Sequence, residues 1–438
     1  MILVLLLIPL VTAVACYAAG RERIAGYINL FGSFALALVS VPLIISSLSA
    51  RIYSMGGMLF MDALSSYIMA IVVFISLVAS VYSVNYMGHE LETGRINVRG
   101  LRYYYAMFHL FTFTMLLTTV SNNLAIFWIA IEGTTLVSAL LVGFYKSKAS
   151  IEAAWKYIIL CTASITFALL GIFITYYASV FALGGSGSLN WTALRDAASR
   201  LNPATMKLAF VFIVVGYGAK AGLAPVHNWL PDAHSQAPTP ISALLSGVLL
   251  ECAFIGIVRF VVLVNGCAGV FYSGRLLLIF GLLSMGLAAA FILLQTDYKR
   301  LLAYSSIEHI GIIAAGVGIG GFWGIYGSLL HILNHAVVKT LLFFYCRTCR
   351  TEISFYGHGE SQGRDTVASC LRDRHAPRRS CHCRGPSIQY FSQRVYDPEG
   401  RGRQRGLEDF CVVHSFCHHY FRRSASSFWR HVVRQTDH

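Results

Sequence analysis

Over 438 residues, 56% hydrophobic side chains against 12% charged ones, with a positive mean hydropathy, exclude an ordinary soluble globular protein and describe a polytopic membrane chain. The net charge of +14 is unevenly placed: residues 347–438 hold sixteen Arg and no Lys, and no nucleic-acid-binding motif organises them, so nucleic acid is excluded as a partner. Cys16, Cys161, Cys252 and Cys267 stand alone in or near apolar spans and read as small buried hydrophobes, whereas the other seven cysteines crowd the last 93 residues.

Residues 1–19 are apolar with no basic residue ahead of them, which predicts a first transmembrane helix rather than a signal peptide. Apolar spans recur at 26–47, 63–86, 103–120, 122–144, 153–182, 205–230, 239–265, 273–294, 300–319 and 321–346. Each is close to the ~20 residues that cross hydrocarbon, or longer. The expectation is an all-α, polytopic transmembrane bundle of about eleven helices. No alternation of the kind a β-barrel needs is visible. One set of loops carries Arg21, Arg23, Arg95, Arg99, Arg102, Lys146, Lys148, Lys299 and Arg300; the opposite set carries Arg51, Arg195, Arg200, Lys207 and Arg275. The richer set is assigned to the cytoplasm, with the N-terminus outside the cell membrane. The polar stretch 184–203 is then an external loop without chemistry.

Residues 216–251 draw the chemistry together. This stretch holds Lys220, His227, Asp232, His234 and Glu251 among four prolines, Pro225, Pro231, Pro238 and Pro240. Pro225 lacks an N–H and its ring clashes with the preceding turn, so the seventh helix breaks there. Lys220 falls in the last turn of the first half, where the carbonyl end of a helix favours a cation. Broken helices at membrane depth are tolerated where they are buried or line a wet cavity. An ion or proton site fits this pattern; a lysine snorkelling from a helix end is the plainer alternative.

Other ionisable residues lie inside apolar spans. Glu132 stands amid Trp128, Ile129, Ala130 and Ile131, where a lone charge costs about 2.5–3.5 kcal/mol. It must be neutral, partnered or wet. His331, His335 and Lys339, at i, i+4 and i+8, form a polar stripe about 12 Å long on one helix face. Histidine titrates near neutrality, so the stripe can serve as a proton wire. No carboxylate or cysteine shares it, which argues against a metal site; a structural stripe bonding neighbouring helices is the alternative. Lys299 opens the tenth span with Tyr304, Ser305, Ser306, Glu308 and His309, either as a topology determinant or as part of the polar axis.

These stretches resemble a known family. GAKAGLAPVHNWLPDAHSQAPTPISALLSGVLL, WIAIEGTTLVSALLVGFY, EAAWKYIIL, DYKRLLAYSSIEHIGII and HILNHAVVKTLLFF look like signatures of the proton-conducting, antiporter-like membrane subunits. That family includes the large membrane chains of NADH:quinone oxidoreductase, the multisubunit cation/proton antiporters and the membrane arm of energy-converting hydrogenases. With YYYAMFHLFTFTMLLTTVSNNLAIFW, the resemblance is to the component F type of hydrogenase-4 complexes, over most of residues 1–346. It implies a proton relay through Glu132, Lys220, Glu251, Lys299, His331, His335 and Lys339, with His227 a further candidate link, and an electrostatic pair of Glu132 with Lys220. Glu251 departs from the pattern, since many relatives carry Lys or His there; the relay is rewired or conducts poorly.

The function implied is translocation of protons, or of Na+, within a larger redox complex. No haem, flavin or iron–sulfur motif occurs on this chain, so no cofactor is expected here. Iron–sulfur clusters and nickel–iron or flavin centres are implied in partner subunits, membrane-embedded and peripheral. A subunit of a multisubunit cation/proton antiporter and a non-conducting membrane scaffold remain as alternatives.

After residue 346 the pattern collapses. The expectation is a truncated proton-translocation domain over 1–346, and over 347–438 a non-native or disordered tail that packs poorly and leaves the chain unable to pump. Out-of-frame translation is the expected origin of the tail. If residues 346–351 are encoded TGC CGG ACA TGT CGA ACT, a shift by one base reads Ala-Gly-His-Val-Glu-Leu, and relatives carry a similar Ala-Gly step at that point. If residues 387–390 are encoded TCC ATT CAA TAT, the same shift gives Pro-Phe-Asn. The CxxC at Cys346 and Cys349 and the HxxxH at His414 and His418 lie too far apart for a zinc finger.

Overall fold

Polar residues between the apolar runs decide where several of the helices start. The computed structural model describes residues 1–357. Helices α1 (Ile2–Ala18) and α2 (Glu22–Ser49) are followed by a small antiparallel hairpin of β1 (Ile52–Ser54) and β2 (Leu59–Met61). Met55, Gly56 and Gly57, all at positive φ, make its turn. The hairpin is an addition to the all-α expectation. Asp62 then caps α3 (Ala63–Glu92), accepting from the Ser65 N–H at 2.9 Å. Asn97 caps α4 (Val98–Val120), Asn123 caps α5 (Leu124–Val142) and Ser147 caps α6 (Lys148–Ala182). Each such cap is worth about 1 kcal/mol, because it satisfies a backbone N–H with no partner inside the helix.

The polar stretch 184–203 is less plain than the sequence suggests. It contains a short helix, α7 (Trp191–Asp196), whose Trp191 and Leu194 are buried. The broken helix comes next. Its first half, α8 (Pro203–Ala221), starts on Asn202 and Pro203 and ends at Gly222, which takes the left-handed conformation at φ 87°. The second half is α9 (Trp229–Gln236). Between them residues 222–224 and His227 are buried while Pro225 and Asn228 are exposed, and polar groups at the break find partners: Leu223 N–H bonds to Gly218 O at 2.8 Å, Ala224 N–H to Ser284 Oγ at 2.9 Å, and Trp229 Nε1–H to Ala219 O at 2.9 Å. Such partners are what a helix break at membrane depth requires.

The eighth span is compound. Helix α10 (Thr239–Leu244) passes through a π turn at Leu245–Leu249 into α11 (Leu250–Ala268). It is followed by α12 (Val270–Ile292), α13 (Tyr298–Ile319, capped by Asp297) and α14 (Gly321–Gly357). All eleven expected crossings therefore have a helical counterpart. Nine helices among the described residues are long and apolar enough to cross a membrane, and α1, with 17 residues, is a shorter apolar helix. The last one runs past the expected boundary at 346. The remainder of the expected non-native tail, from residue 358, lies outside the described residues.

Helix packing relies on small residues, as in membranes generally. Gly281 on α12 faces Gly311 on α13, where an added Cβ would sit 2.7 Å from the Gly311 carbonyl oxygen. Gly247, inside the π turn, lets α14 come equally close: a Cβ there would lie 2.9 Å from Thr340 Oγ1. The span 239–268 is 89% buried over its apolar window, against 28% for α12. The compound eighth span is thus the centre of the bundle, and it carries Glu251.

Candidate functional site

Lys220 sits in the last turn of α8 and is fully buried. A buried ammonium is costly unless its donors are satisfied. Here Nζ donates to Thr135 Oγ1 of α5 at 2.8 Å and to Tyr157 OH of α6 at 2.5 Å. Its charge also lies 4.6 Å from the Tyr157 ring centroid and 5.6 Å from that of Trp229, within cation–π range. Tyr157 is held in turn by Ser138 Oγ at 2.7 Å.

Glu132 stands one turn before Thr135 on α5, close enough to act on Lys220 electrostatically. Among the described residues, however, no ion pair joins the two within 4.0 Å. Glu132 Oε1 accepts instead from Thr162 Oγ1 at 2.7 Å, and Oε2 is buried with no hydrogen-bond partner among the described residues. The expected pair is a neighbourhood here, not a bond. The helix break supplies the proximity, because it ends α8 at the level of Thr135 on α5 and Tyr157 on α6.

The expectation that no carboxylate shares the His stripe is corrected. Glu251, at the start of α11, reaches α14: its Oε1 lies 2.8 Å from His335 Nδ1, with both side chains sealed from solvent. Glu251 Oε2 and His335 Nε2 are both buried without hydrogen-bond partners among the described residues. From α13, His309 Nδ1 meets His331 Nε2 at 2.8 Å, and the His309 and His335 ring centroids are 5.4 Å apart. Three helices therefore converge on one polar cluster, Glu251, His335, His309 and His331. One turn beyond His335, the buried Lys339 donates to the Leu302 carbonyl at 3.1 Å. Lys299 donates to the Ala237 carbonyl at 2.8 Å, at the junction of α9 and α10.

Two histidines of the broken-helix stretch complete the axis. His234 is fully buried, stacked on Phe343 at 5.2 Å, and neither ring nitrogen has a hydrogen-bond partner among the described residues. It interacts electrostatically with Lys299, Lys339 and His335, so it stands among the three. His227 is buried at 4% exposure, edge-on to Tyr304 at 6.3 Å. The sequence did not single out His234 and His309 as candidate relay residues. Both lie on stretches already marked by polar residues inside apolar spans, and that was the available signal.

A second buried charge pair lies away from this axis and was missed altogether. Arg259, inside the eighth span, grips Asp62 with two bonds, Nη1 to Oδ2 at 2.7 Å and Nη2 to Oδ1 at 2.9 Å. Its guanidinium also donates to Ser65 Oγ at 2.9 Å and lies 4.2 Å from the Trp191 ring centroid. Trp191 Nε1–H returns a bond to the Arg259 carbonyl at 2.9 Å. Burial alone would push the Asp62 carboxyl up. The Arg259 guanidinium, helped by Ser65, outweighs it and holds the carboxyl below its ordinary value.

A multi-pass bundle with a broken helix, a buried lysine at the break and a chain of titratable side chains through its centre is a membrane protein of the ion-pathway type. Residues 121–355 match the family described as NADH:quinone oxidoreductase/Mrp antiporter, transmembrane, and this chain belongs to that family. It is 37% identical over 340 residues to the hydrogenase-4 component F homolog of Methylacidiphilum infernorum, covering 77% of this chain and 70% of that protein. It is 32% identical to hydrogenase-4 component B of Escherichia coli, over 65% of this chain and 42% of that one. It is 34% identical to the NADH-quinone oxidoreductase subunit N of Desulforudis audaxviator, over 66% and 55%. The fold is also that of a chain in the archaeal membrane-bound sulfane sulfur reductase, with a TM-score of 0.68 at 22% identity and coverage of 78% and 69%. A chain of the Mrp complex from Dietzia gives 0.64 at 24% identity, with coverage of 78% and 36%.

Proposed function

We propose that this chain is a proton-translocating subunit of a hydrogenase-4-like or NADH:quinone oxidoreductase-like membrane complex, driven by redox chemistry on other subunits. Family membership supports the class. The observation that carries the mechanism is the Glu251–His335 bond, which links α11 to the His stripe of α14. In this reading protons pass between the Lys220 region and Lys339 through Glu251, His335 and the adjoining His309 and His331. His234 and Lys299 serve the same axis from the broken helix, and Glu132 and His227 flank it. Glu251 replaces a basic link with an acidic one: it moves a proton by alternating between a carboxyl and a carboxylate, with His335 as exchange partner. Glu132 modulates Lys220 through space, and Thr135 and Tyr157 hold the ammonium while it is charged.

The basic loops support a cytoplasmic-membrane location with the N-terminus outside. The partners in this reading are the membrane and peripheral subunits that hold the iron–sulfur and nickel–iron or flavin centres, together with the surrounding lipid. The out-of-frame origin of residues 347–438 belongs to the same proposal and is tested by the DNA around codon 346; a sequence without a family-like reading in the shifted frame overturns it. The functional test is transport: in the frame-restored complex reconstituted into vesicles, Glu251→Gln should abolish acidification while assembly is retained. Full pumping by that variant removes Glu251 from the pathway, and a scaffold would show no pumping in the parent complex.

A further inference from the structure

One large cavity lies outside the polar axis. It is a cleft of about 850 Å³ between α1, α4, α5 and α6, within the size range of small-molecule sites. Its walls are mainly apolar, with Leu140 of α5 and Trp155 and Ile158 of α6 among them; Tyr17 and Tyr103 stand with the rim. Arg99 and Lys146 line it as well, and both are exposed. No lining residue is acidic. The nearby Glu152 is already paired with Lys156 at 2.7 Å.

Lys146 is held at φ 53°, in the left-handed region that a side-chain-bearing residue seldom adopts. The turn after α5 that places Lys146 among the lining residues therefore takes a conformation that its surroundings have to enforce. Both cations belong to the loop set richest in Lys and Arg, the side on which membranes present anionic headgroups. Aromatic rings at such a rim sit at the headgroup level.

From this geometry we propose that the cleft binds one anionic phospholipid. Its phosphate lies against Arg99 and Lys146, and its acyl chain runs along Leu140, Trp155 and Ile158. A basic pocket between transmembrane helices, opening into apolar walls, matches both ends of such a molecule. The cleft is lined by the end of α5 and the first turns of α6; its lining residue Ile158 follows Tyr157, and Glu132, Tyr157 and Lys220 do not line it, so its occupant borders the Lys220 site.

Trp155 reports on the cleft, because it is 61% exposed there; Trp323 on α14, 70% exposed, reports on ordinary surrounding lipid. The full chain is reconstituted into phosphatidylcholine vesicles containing a small fraction of phosphatidylglycerol, with brominated acyl chains on one lipid or the other. Bromine quenches tryptophan fluorescence on contact. The part of the signal lost in Trp155→Phe should be quenched several-fold more by brominated phosphatidylglycerol than by equal brominated phosphatidylcholine. The part lost in Trp323→Phe should show no such preference. Arg99→Gln with Lys146→Gln, both exposed and harmless to the fold, should reduce the Trp155 preference to that of Trp323. Inorganic phosphate at matched ionic strength should leave the preference unchanged, since a free anion lacks the chain. Equal quenching by both lipids, a preference that survives the double substitution, loss of the preference to inorganic phosphate, or a Trp155 that no lipid reaches because protein covers it would each overturn the proposal.

Discussion

Glu251 Oε1 and His335 Nδ1 stand 2.8 Å apart across the α11–α14 interface, each residue with a second polar atom buried and unpartnered among the described residues. Two idle buried atoms flanking a bond are costly in a purely structural contact, about 1–3 kcal/mol apiece. They suit a site through which protons pass, because each is a place for a proton to arrive or leave. We expect Glu251→Gln and His335→Gln to lower proton transfer at least about tenfold each. The double variant should be no worse than either single one, since links in series fail together. Additive losses, measured as vesicle acidification by the reconstituted complex, would place the two residues on separate routes.

Lys220 separates function from stability. Its ammonium is buried on hydroxyls, with no carboxylate within 4.0 Å among the described residues, so its charge is weakly compensated. Replacing an ion in such a setting with an apolar side chain of similar volume is neutral or stabilising. Lys220→Met should therefore keep or raise the melting temperature in detergent while abolishing transport. A fall of several degrees would mean that the lysine is principally a structural post.

The Asp62–Arg259 pair should behave in the opposite way. Removing one partner leaves the other buried and unpaired, so Asp62→Asn should cost about 3 kcal/mol, at the lower end for buried pairs because Asp62 keeps some solvent contact. Asp62→Leu combined with Arg259→Met should cost less than the two single changes together. Because the folded carboxyl titrates below its unfolded value of 3.8, the pair contributes its stability above that value and loses it as pH falls through the lower folded one. Unfolding measured across acid pH should show this loss in the parent chain and not in the double variant.

Packing of α12 on α13 gives a purely steric test. Gly281→Leu should destabilise by about 3 kcal/mol, since the side chain meets the Gly311 backbone directly. Gly286→Ala on the same helix meets nothing within 4 Å and should stay within about 1 kcal/mol of the parent, on the stable side. Thermal unfolding of the two variants settles it.

What the sequence made legible was whatever depends on one element at a time. Eleven apolar stretches, a break before Pro225, and ionisable residues too deep to be ignored all follow from hydrocarbon thickness, proline chemistry and desolvation. Pairings between elements were not legible. Glu251 stood out as a lone acid where a base was expected, but nothing local says that it meets a histidine 84 residues away. Arg259 went unnoticed inside an apolar run because Asp62, 197 residues earlier, is what makes it tolerable there. Glu132 and Lys220 were expected to pair, yet each found nearer hydroxyls. The hairpin at 52–61 was too short for an alternation to register.

The π turn at Leu245–Leu249 has a consequence for how this helix came to differ from its neighbours. A π turn takes up one extra residue locally, so the helix beyond it keeps the winding phase it would have without the insertion, whereas a residue added to an uninterrupted α-helix would rotate everything downstream by about 100°. Deleting Val248 would restore ordinary winding and leave the Glu251 carboxyl on the face that meets His335. The eighth span thus carries one residue more than its winding phase records. Alignments across that point that ignore the insertion will compare residues on different faces of the helix.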